Sequence, residues 1–332
     1  VFRCGFDHYE LADITQKWNS GSGNAMVTGL SNPSGQALQQ PTNLILTIPS
    51  PDESGRVGFY FEPESIGQLE ALVVFKTDAG SETFAVNMTA TGALQVRYGG
   101  LGAGDTTSTN TTFQVGQVYY IEVALYVDAA GACRVDVDGI NDSDVTLSGI
   151  DTLGISGADI GSLEFNSDAI IIDDVHVEIG TGTSIGSGDM LGPLVVRTLY
   201  PQSDGTHTDF SLSAGSDHYA LVDEAQANED TDYIHTSTAS DRDSFDFDLS
   251  DLGTVDTIQD IQLVTSIRKE DPGTARTANQ FSITTGPTTT DESSFAVGDN
   301  YVFERNIRET NPGSAAAWTT SDSLEVGVRL VS

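Results

Sequence analysis

The densest set of oxygen ligands in the sequence is Asp136, Asp138, Asn141, Asp142 and Asp144. Calcium takes six to eight oxygens, and a loop carrying these side chains offers several. The spacing departs from an EF-hand, because no Glu closes a twelve-residue loop. Arg134-Val135-Asp136-Val137 alternates ahead of Asp138-Gly139, a dipeptide suited to a tight hairpin turn. The expectation is an acidic hairpin tip with no metal assigned to it.

A second carboxylate run is Asp173-Asp174-Val175-His176-Val177-Glu178. Paired carboxylates cleave glycosides when they flank the bond at a fixed separation. Jelly-roll glucanases carry an E-x-D-x-x-E strand pattern, and here both the order and the spacing of the acids differ. Hydrolysis is not expected. His8, His176, His207, His218 and His235 are scattered, and no serine stands on a nucleophile elbow beside them. Two cysteines, Cys4 and Cys133, are too few for a zinc site of their own. One disulfide across a sandwich and two separately buried thiols both stay open. Gly99-Gly100-Leu101-Gly102-Ala103-Gly104 is followed by no helix that would hold a phosphate, so it reads as a loop between strands. No residue is assigned a catalytic, cofactor-binding or metal-binding role.

The elements that must position these groups are strands. Helical periodicity is nearly absent, and short apolar or alternating runs recur between Gly, Asn, Asp and Pro. In the first half they are 57–61, 72–75, 84–88, 94–98, 118–127, 133–137 and 169–179. Residues 181–193 are rich in Gly, Ser and Thr and read as a linker. Beyond it, 194–201 reads as a strand ended by proline, followed by strands at 245–249, 258–268, 280–284, 301–308 and 324–331. Ile261, Leu263, Val264, Ile267, Val326, Val328 and Leu330 are the expected interior of this half. Glu325 to Leu330 alternates as a strand with one wet face. Asp241 to Asp248 reads as a strand with Phe on one face and solvated Asp on the other. The expectation is all-β: a jelly-roll-like β-sandwich over 1–180, a linker over 181–193, and a second, smaller β-sandwich over 194–332. Gly5 to Asp13 echoes Gly215 to Asp223, but the flanks do not match and the echo reads as coincidence.

Composition narrows the function classes. The 332 residues suit about two domains, and 14 Phe with 10 Tyr supply bulk for their cores. There are 49 acidic against 14 basic residues, a net charge of −35, and the lysines are Lys17, Lys76 and Lys269 alone. Such a surface stays hydrated in brine, where screening shortens the reach of repulsion, so a saline or hypersaline source and a halophilic host are expected, with a marine one as the alternative. It offers no basic patch for nucleic acid. No apolar run approaches the length that crosses a membrane as a helix, so no membrane insertion is expected.

Gly5-Phe6-Asp7-His8-Tyr9, Ala12-Asp13-Ile14 and Lys17-Trp18 resemble the opening of concanavalin A-like (LamG-like) jelly-roll proteins encoded by tailed phages. The second half is similar to the domain that often follows it there, through Leu199-Tyr200-Pro201, Gly215 to Glu224, Asp230 to Tyr233, Asp241-Arg242-Asp243, Glu309 to Pro312, Ala317-Trp318-Thr319 and Leu324 to Val328. The resemblance implies a virion structural protein and carries no catalytic residues with it. The expected function is a non-enzymatic surface protein of a tailed virus, on capsid or tail, contacting other virion proteins as a homo-oligomer. The alternatives are a receptor-binding module for host-surface glycans and, behind it, a secreted glycan hydrolase. Tyr98, Tyr119 and Tyr120 are the aromatic residues considered for glycan contact, although alternation points most of them into a core.

Overall fold

The computed structural model describes residues 2–6, 14, 18–23, 25–30, 36–99, 104–154, 156–182, 190–225, 228–253, 257–284 and 288–332. The chain divides into two compact units, Val1–Val196 and Arg197–Ser332. It is an all-β protein of two tandem sandwiches, and neighbouring strands run antiparallel throughout both. His8, Lys17, the middle of the Gly-rich piece (100–103), most of the Gly5 to Asp13 echo and linker residues 183–189 lie outside the described residues.

In the first unit, a nine-stranded sheet runs Ile140–Asn141, Gly131–Val137, Tyr119–Tyr126, Ser54–Pro63, Ile170–Ile179, Gln36–Gln39 and Ala25–Thr28. Phe2–Cys4 pairs with Ile170–Ile179 and Leu147–Ile150 with Gly131–Val137. The seven-stranded sheet runs Gly104–Thr112, Ala93–Tyr98, Glu82–Met88, Glu70–Thr77, Ile160–Asn166, Thr42–Asp52 and Ser20–Ser22. Successive side chains on a strand point to opposite faces. Val57, Phe59 and Phe61 therefore enter the core, where Phe59 meets Phe165 edge to face at 5.1 Å. Each such ring contributes about 1.5–3 kcal/mol through burial. Arg56, Gly58 and Tyr60, the alternate residues, fall on the outer face of the same strand. The Asp138-Gly139 turn joins Val137 to Ile140 with φ of 52° and 76°, the mirror-image turn that the dipeptide predicts.

The second unit has a six-stranded sheet of Ser203–Thr208, Arg242–Asp248, Ser323–Leu330, Thr277–Thr284 and Thr288–Asp291, with Phe295–Ala296 paired to Thr277–Thr284. A ribbon of Ile261–Ile267 and Val302–Arg308 packs on it through fully buried Gln280, which donates to Thr265 Oγ1 at 2.7 Å and accepts from Asn306 Nδ2 at 2.6 Å. Leu249, Trp318 and Leu324 form its apolar cluster.

Several expectations change here. No strand forms at 194–201. Residues 190–196 belong to the first unit, so the boundary falls between Val196 and Arg197 rather than at 193. Leu263 and Leu330 are buried, but Ile261, Val264, Ile267, Val326 and Val328 are only half-buried. On the face of Val326 and Val328, buried Gln280 and Ser282 stand opposite them and put a polar layer where an apolar core was expected. The face of Ser323–Leu330 expected to be wet is covered, because Glu325 accepts bonds from Thr206 N–H at 2.7 Å and from the hydroxyls of Thr206 and Ser244. Asp246 and Asp248 are exposed, whereas Asp243 shares the Phe245 face and is fully buried against His218.

Candidate functional site

The five-residue cluster at the hairpin tip is dispersed by the fold. Asp136 pairs in two-pronged fashion with Arg134 at 2.8 and 2.9 Å on the outer sheet face. Asp138 accepts the Tyr120 N–H at 2.8 Å, and Asn141 accepts the Thr146 hydroxyl at 2.7 Å. Asp142 accepts the Ser108 and Thr111 hydroxyls at 2.6 Å each, and Asp144 accepts both donors of Thr109. These contacts tie the hairpin to Gly104–Thr112. Among the described residues no three His, Cys, Asp or Glu side chains converge as metal ligands.

The second carboxylate run lies at the centre of a polar layer on the outer face of the nine-stranded sheet. Register builds it directly: Glu122 stands opposite Gly58, and Gly58 opposite His176, while Tyr120 stands opposite Tyr60 and Tyr60 opposite Asp173. Gly58 matters because a Cβ there would collide with the His176 ring and the Tyr120 hydroxyl. The Tyr120 hydroxyl lies 3.4 Å from His176 Nδ1, and the two rings are nearly parallel at 6.2 Å. Arg56 forms ion pairs with Glu122 and Glu178, and Glu178 also takes Arg3 at 2.9 Å. Glu122 and His176 are completely buried.

What seals this layer is the chain itself. The N–H groups of Leu191 and Gly192 each donate to one oxygen of Glu122, both at 2.8 Å. Val196 N–H donates to Asp174 at 3.0 Å, and Leu30 N–H donates to Asp173 at 2.8 Å. Asp174 has φ of 49° inside a strand, at a register shift between Asp173 and His176. That is a bulge held by a non-glycine residue in a left-handed conformation, which re-aims the carboxylate toward Val196.

Burial sets the protonation states. It pushes Glu122 up, against the two N–H donors and Arg56, which pull it down. It pushes Tyr60 up to about 12, with Asp174, Asp138 and Asp173 adding to the effect. His176 is driven well below its ordinary range, first by burial and then by Arg3 and Arg56, and so stays neutral.

The other sequence positions are not brought together. Tyr119 is buried in the core against Phe61 and Phe113, as alternation predicts; Tyr120 points to the opposite face and is buried in the polar layer instead, and Tyr98 is half-buried against Gly104. His207 packs on Phe281 at 5.7 Å and His235 on Tyr233 at 5.6 Å, away from other titratable clusters. Cys4 and Cys133 are both buried. They lie in one sheet rather than across the sandwich, separated by Ile170–Ile179, Ser54–Pro63 and Tyr119–Tyr126. Four inter-strand steps of about 4.8 Å place them roughly 19 Å apart, and a disulfide needs Cα atoms within about 7 Å. The disulfide alternative is therefore excluded in this fold. His176 and Tyr120 stood out in the sequence, but Arg56, Glu122 and the layer they complete did not, because its members are spread over three strands distant in the chain.

No protein-family model matches the sequence, and no curated protein matches it. Solved structures with partial likeness include the sialidase of Trypanosoma rangeli (10% identity, TM-score 0.36), covering 51% of this chain and 28% of the sialidase. The chain thus spans less than a third of that protein. The endo-β-1,4-glucuronan lyase of the fungus Trichoderma reesei aligns over 55% of this chain and 96% of its own, at 13% identity and TM-score 0.40. A galectin of Caenorhabditis elegans aligns over 41% and 91%, at 15% identity and TM-score 0.32. At these values the likeness is one of β-sandwich architecture alone.

Proposed function

We propose that this chain is a non-enzymatic structural protein on the surface of a tailed virus particle, on capsid or tail, placed there as a homo-oligomer. The observation that carries the non-enzymatic part is the sealed polar layer. Glu122, Asp173, Asp174 and His176 are buried, Glu178 is paired with Arg3 and Arg56, and Glu122 and Asp174 are occupied by backbone donors of residues 190–196. A catalytic acid or base must reach a proton on a substrate, and these cannot while the segment is in place. Asp173 and Glu178 are also too far apart for paired-acid hydrolysis. Their cross-strand partners Tyr60 and Arg56 lie four residues apart, roughly 13 Å along a strand. Glycosidases need their carboxyls about 5–10 Å apart.

The viral part rests on the phage-family resemblance of both halves. The net charge of −35 supports a host in saline water. Labelled antibody against the chain should decorate purified particles of the virus that encodes it. Its absence from particles, with the chain abundant in the soluble lysate, would remove the virion reading. Reducing-sugar release from surface polysaccharides should match a no-protein control, and release abolished by Asp173→Asn or Glu178→Gln would overturn the non-enzymatic one.

A further inference from the structure

In residues 190–196, Pro193 and Val195 are exposed, and Met190, Leu191, Leu194 and Val196 are half-buried. An apolar segment with no side chain wholly buried gains only part of the stabilisation that full burial would give. It is also held by polar contacts: three backbone N–H bonds to carboxylates, two on Glu122 and one on Asp174, and a backbone bond from Leu194 to Tyr120. Each bond to a carboxylate is worth about 1.5–3 kcal/mol net. Such a segment opens at a cost below that of unfolding the sandwich.

The face beneath it is prepared for a ligand. The two Glu122 oxygens accept one donor each, from consecutive backbone positions. His176 Nε2, fully buried, has no hydrogen-bond partner among the described residues and points to Glu122 Oε1 from 3.9 Å. Tyr60 and Tyr120 pair their rings at 5.0 Å on the same face.

We propose that residues 190–196 are a displaceable strap over a saccharide-binding face, and that the two N–H groups on Glu122 stand in for adjacent hydroxyls of a sugar ring. One carboxylate accepting two neighbouring O–H donors reproduces the observed arrangement. The Nε2 of His176 then gains a hydroxyl partner, and the tyrosine rings offer an apolar surface to the sugar's C–H side. Arg56 lies 3.6 Å from Glu122 and opposes the upward push that burial gives its pKa. No bond is made or broken. The inference goes beyond the structural role and does not depend on it.

Gly192 has φ of 77°, a conformation closed to proline, and proline has no N–H to give Glu122. Gly192→Pro in the full chain is therefore a strap-release variant. Val196→Pro removes only the far tether and gives an independent route to the same opening. Hydrogen exchange of residues 190–196 should rise at least about tenfold in both variants, a change of ~1.4 kcal/mol in opening. Methyl α-D-glucoside, methyl α-D-mannoside and methyl β-D-galactoside are then titrated into each protein by saturation-transfer NMR. At least one should bind a release variant about tenfold more tightly than the parent chain, and Glu122→Gln on that background should abolish binding. Unchanged exchange in both variants overturns the strap. An open strap that binds no glycoside, or binding that survives Glu122→Gln, overturns the saccharide site. Dimerisation of the opened variants without glycoside binding would assign the face to a second copy instead, and overturns it equally.

Discussion

His176 Nε2 lies 3.9 Å from Glu122 Oε1, directly across Gly58. The two do not form an ion pair, because burial opposes a charge on the imidazole and Arg3 and Arg56 oppose it further. Burial pushes the Glu122 pKa up, and its two N–H donors and Arg56 oppose that push without cancelling it.

Gly58→Ala should destabilise the first sandwich by about 1–3 kcal/mol, the cost of overpacking a filled site. The new methyl collides with the His176 ring and the Tyr120 hydroxyl. Because the closest collision is with the His176 ring, Gly58→Ala with His176→Ala should cost less than the two single changes added together. Urea unfolding of the four proteins measures the coupling, and strict additivity would contradict this packing.

The neutral His176 makes stability depend on pH with a definite sign. Its folded pKa is depressed below the ordinary 6.5 of the unfolded chain, so the unfolded state takes up the proton first. Stability is then full above pH ~6.5 and is lost as pH falls below it, by up to about 1.4 kcal/mol per pH unit. Glu122 acts in the opposite direction, since its raised pKa favours the folded state in acid. The comparison is therefore with His176→Asn. Between pH 7 and 5 the parent should lose more stability than the variant, and parallel curves would refute a buried neutral imidazole.

Both cysteines should be present as thiols. Burial pushes Cys133 up to about 12, which suppresses the reactive thiolate at neutral pH. A thiol reagent should react with neither cysteine in the native protein and with both in denaturant without reductant. A denatured protein with no reactive thiol would mean that Cys4 and Cys133 are bridged, against the sheet order.

Apolar and alternating strands were legible in the sequence because their period of two survives in the fold; Ser54–Pro63, Glu70–Thr77 and Ile170–Ile179 are examples. Gly104–Thr112 was hidden, since an edge strand of Thr, Ser and Asn buries little and its composition mimics a loop. Thr42–Asp52 was hidden by Pro49 and Pro51, which its position beside a short, interrupted partner tolerates. The segment at 194–201 misled in the other direction. Its valines and leucines look like a strand, but its first residues bond to side chains rather than to a neighbouring backbone. Hydrophobic pattern shows where a face is, while carboxylate partners on distant strands decide what lies over it.

The last expectation concerns salt. The chain carries 49 acids and 14 bases, leaving 35 uncompensated negative charges with His neutral. Compaction brings them together, so the folded state is the one that repulsion penalises. The Debye length falls from ~10 Å at 0.1 M to ~3 Å at 1 M, which removes most repulsion between surface carboxylates. The melting midpoint should therefore climb through the molar range in NaCl. Excluded salts also strengthen apolar burial, so NaCl is compared with KCl at fixed chloride and with sulfate as the contrasting anion. Calcium tests a separate point. Asp142 and Asp144 spend their oxygens on Ser108, Thr109 and Thr111, and Asp136 spends its own on Arg134. Millimolar calcium should then add little beyond its ionic strength. A midpoint flat from low to molar NaCl would discard the saline reading of the charge. A steep rise in millimolar calcium, lost in Asp138→Asn with Asp142→Asn, would show that the hairpin tip rearranges into a metal site despite those hydroxyl partners.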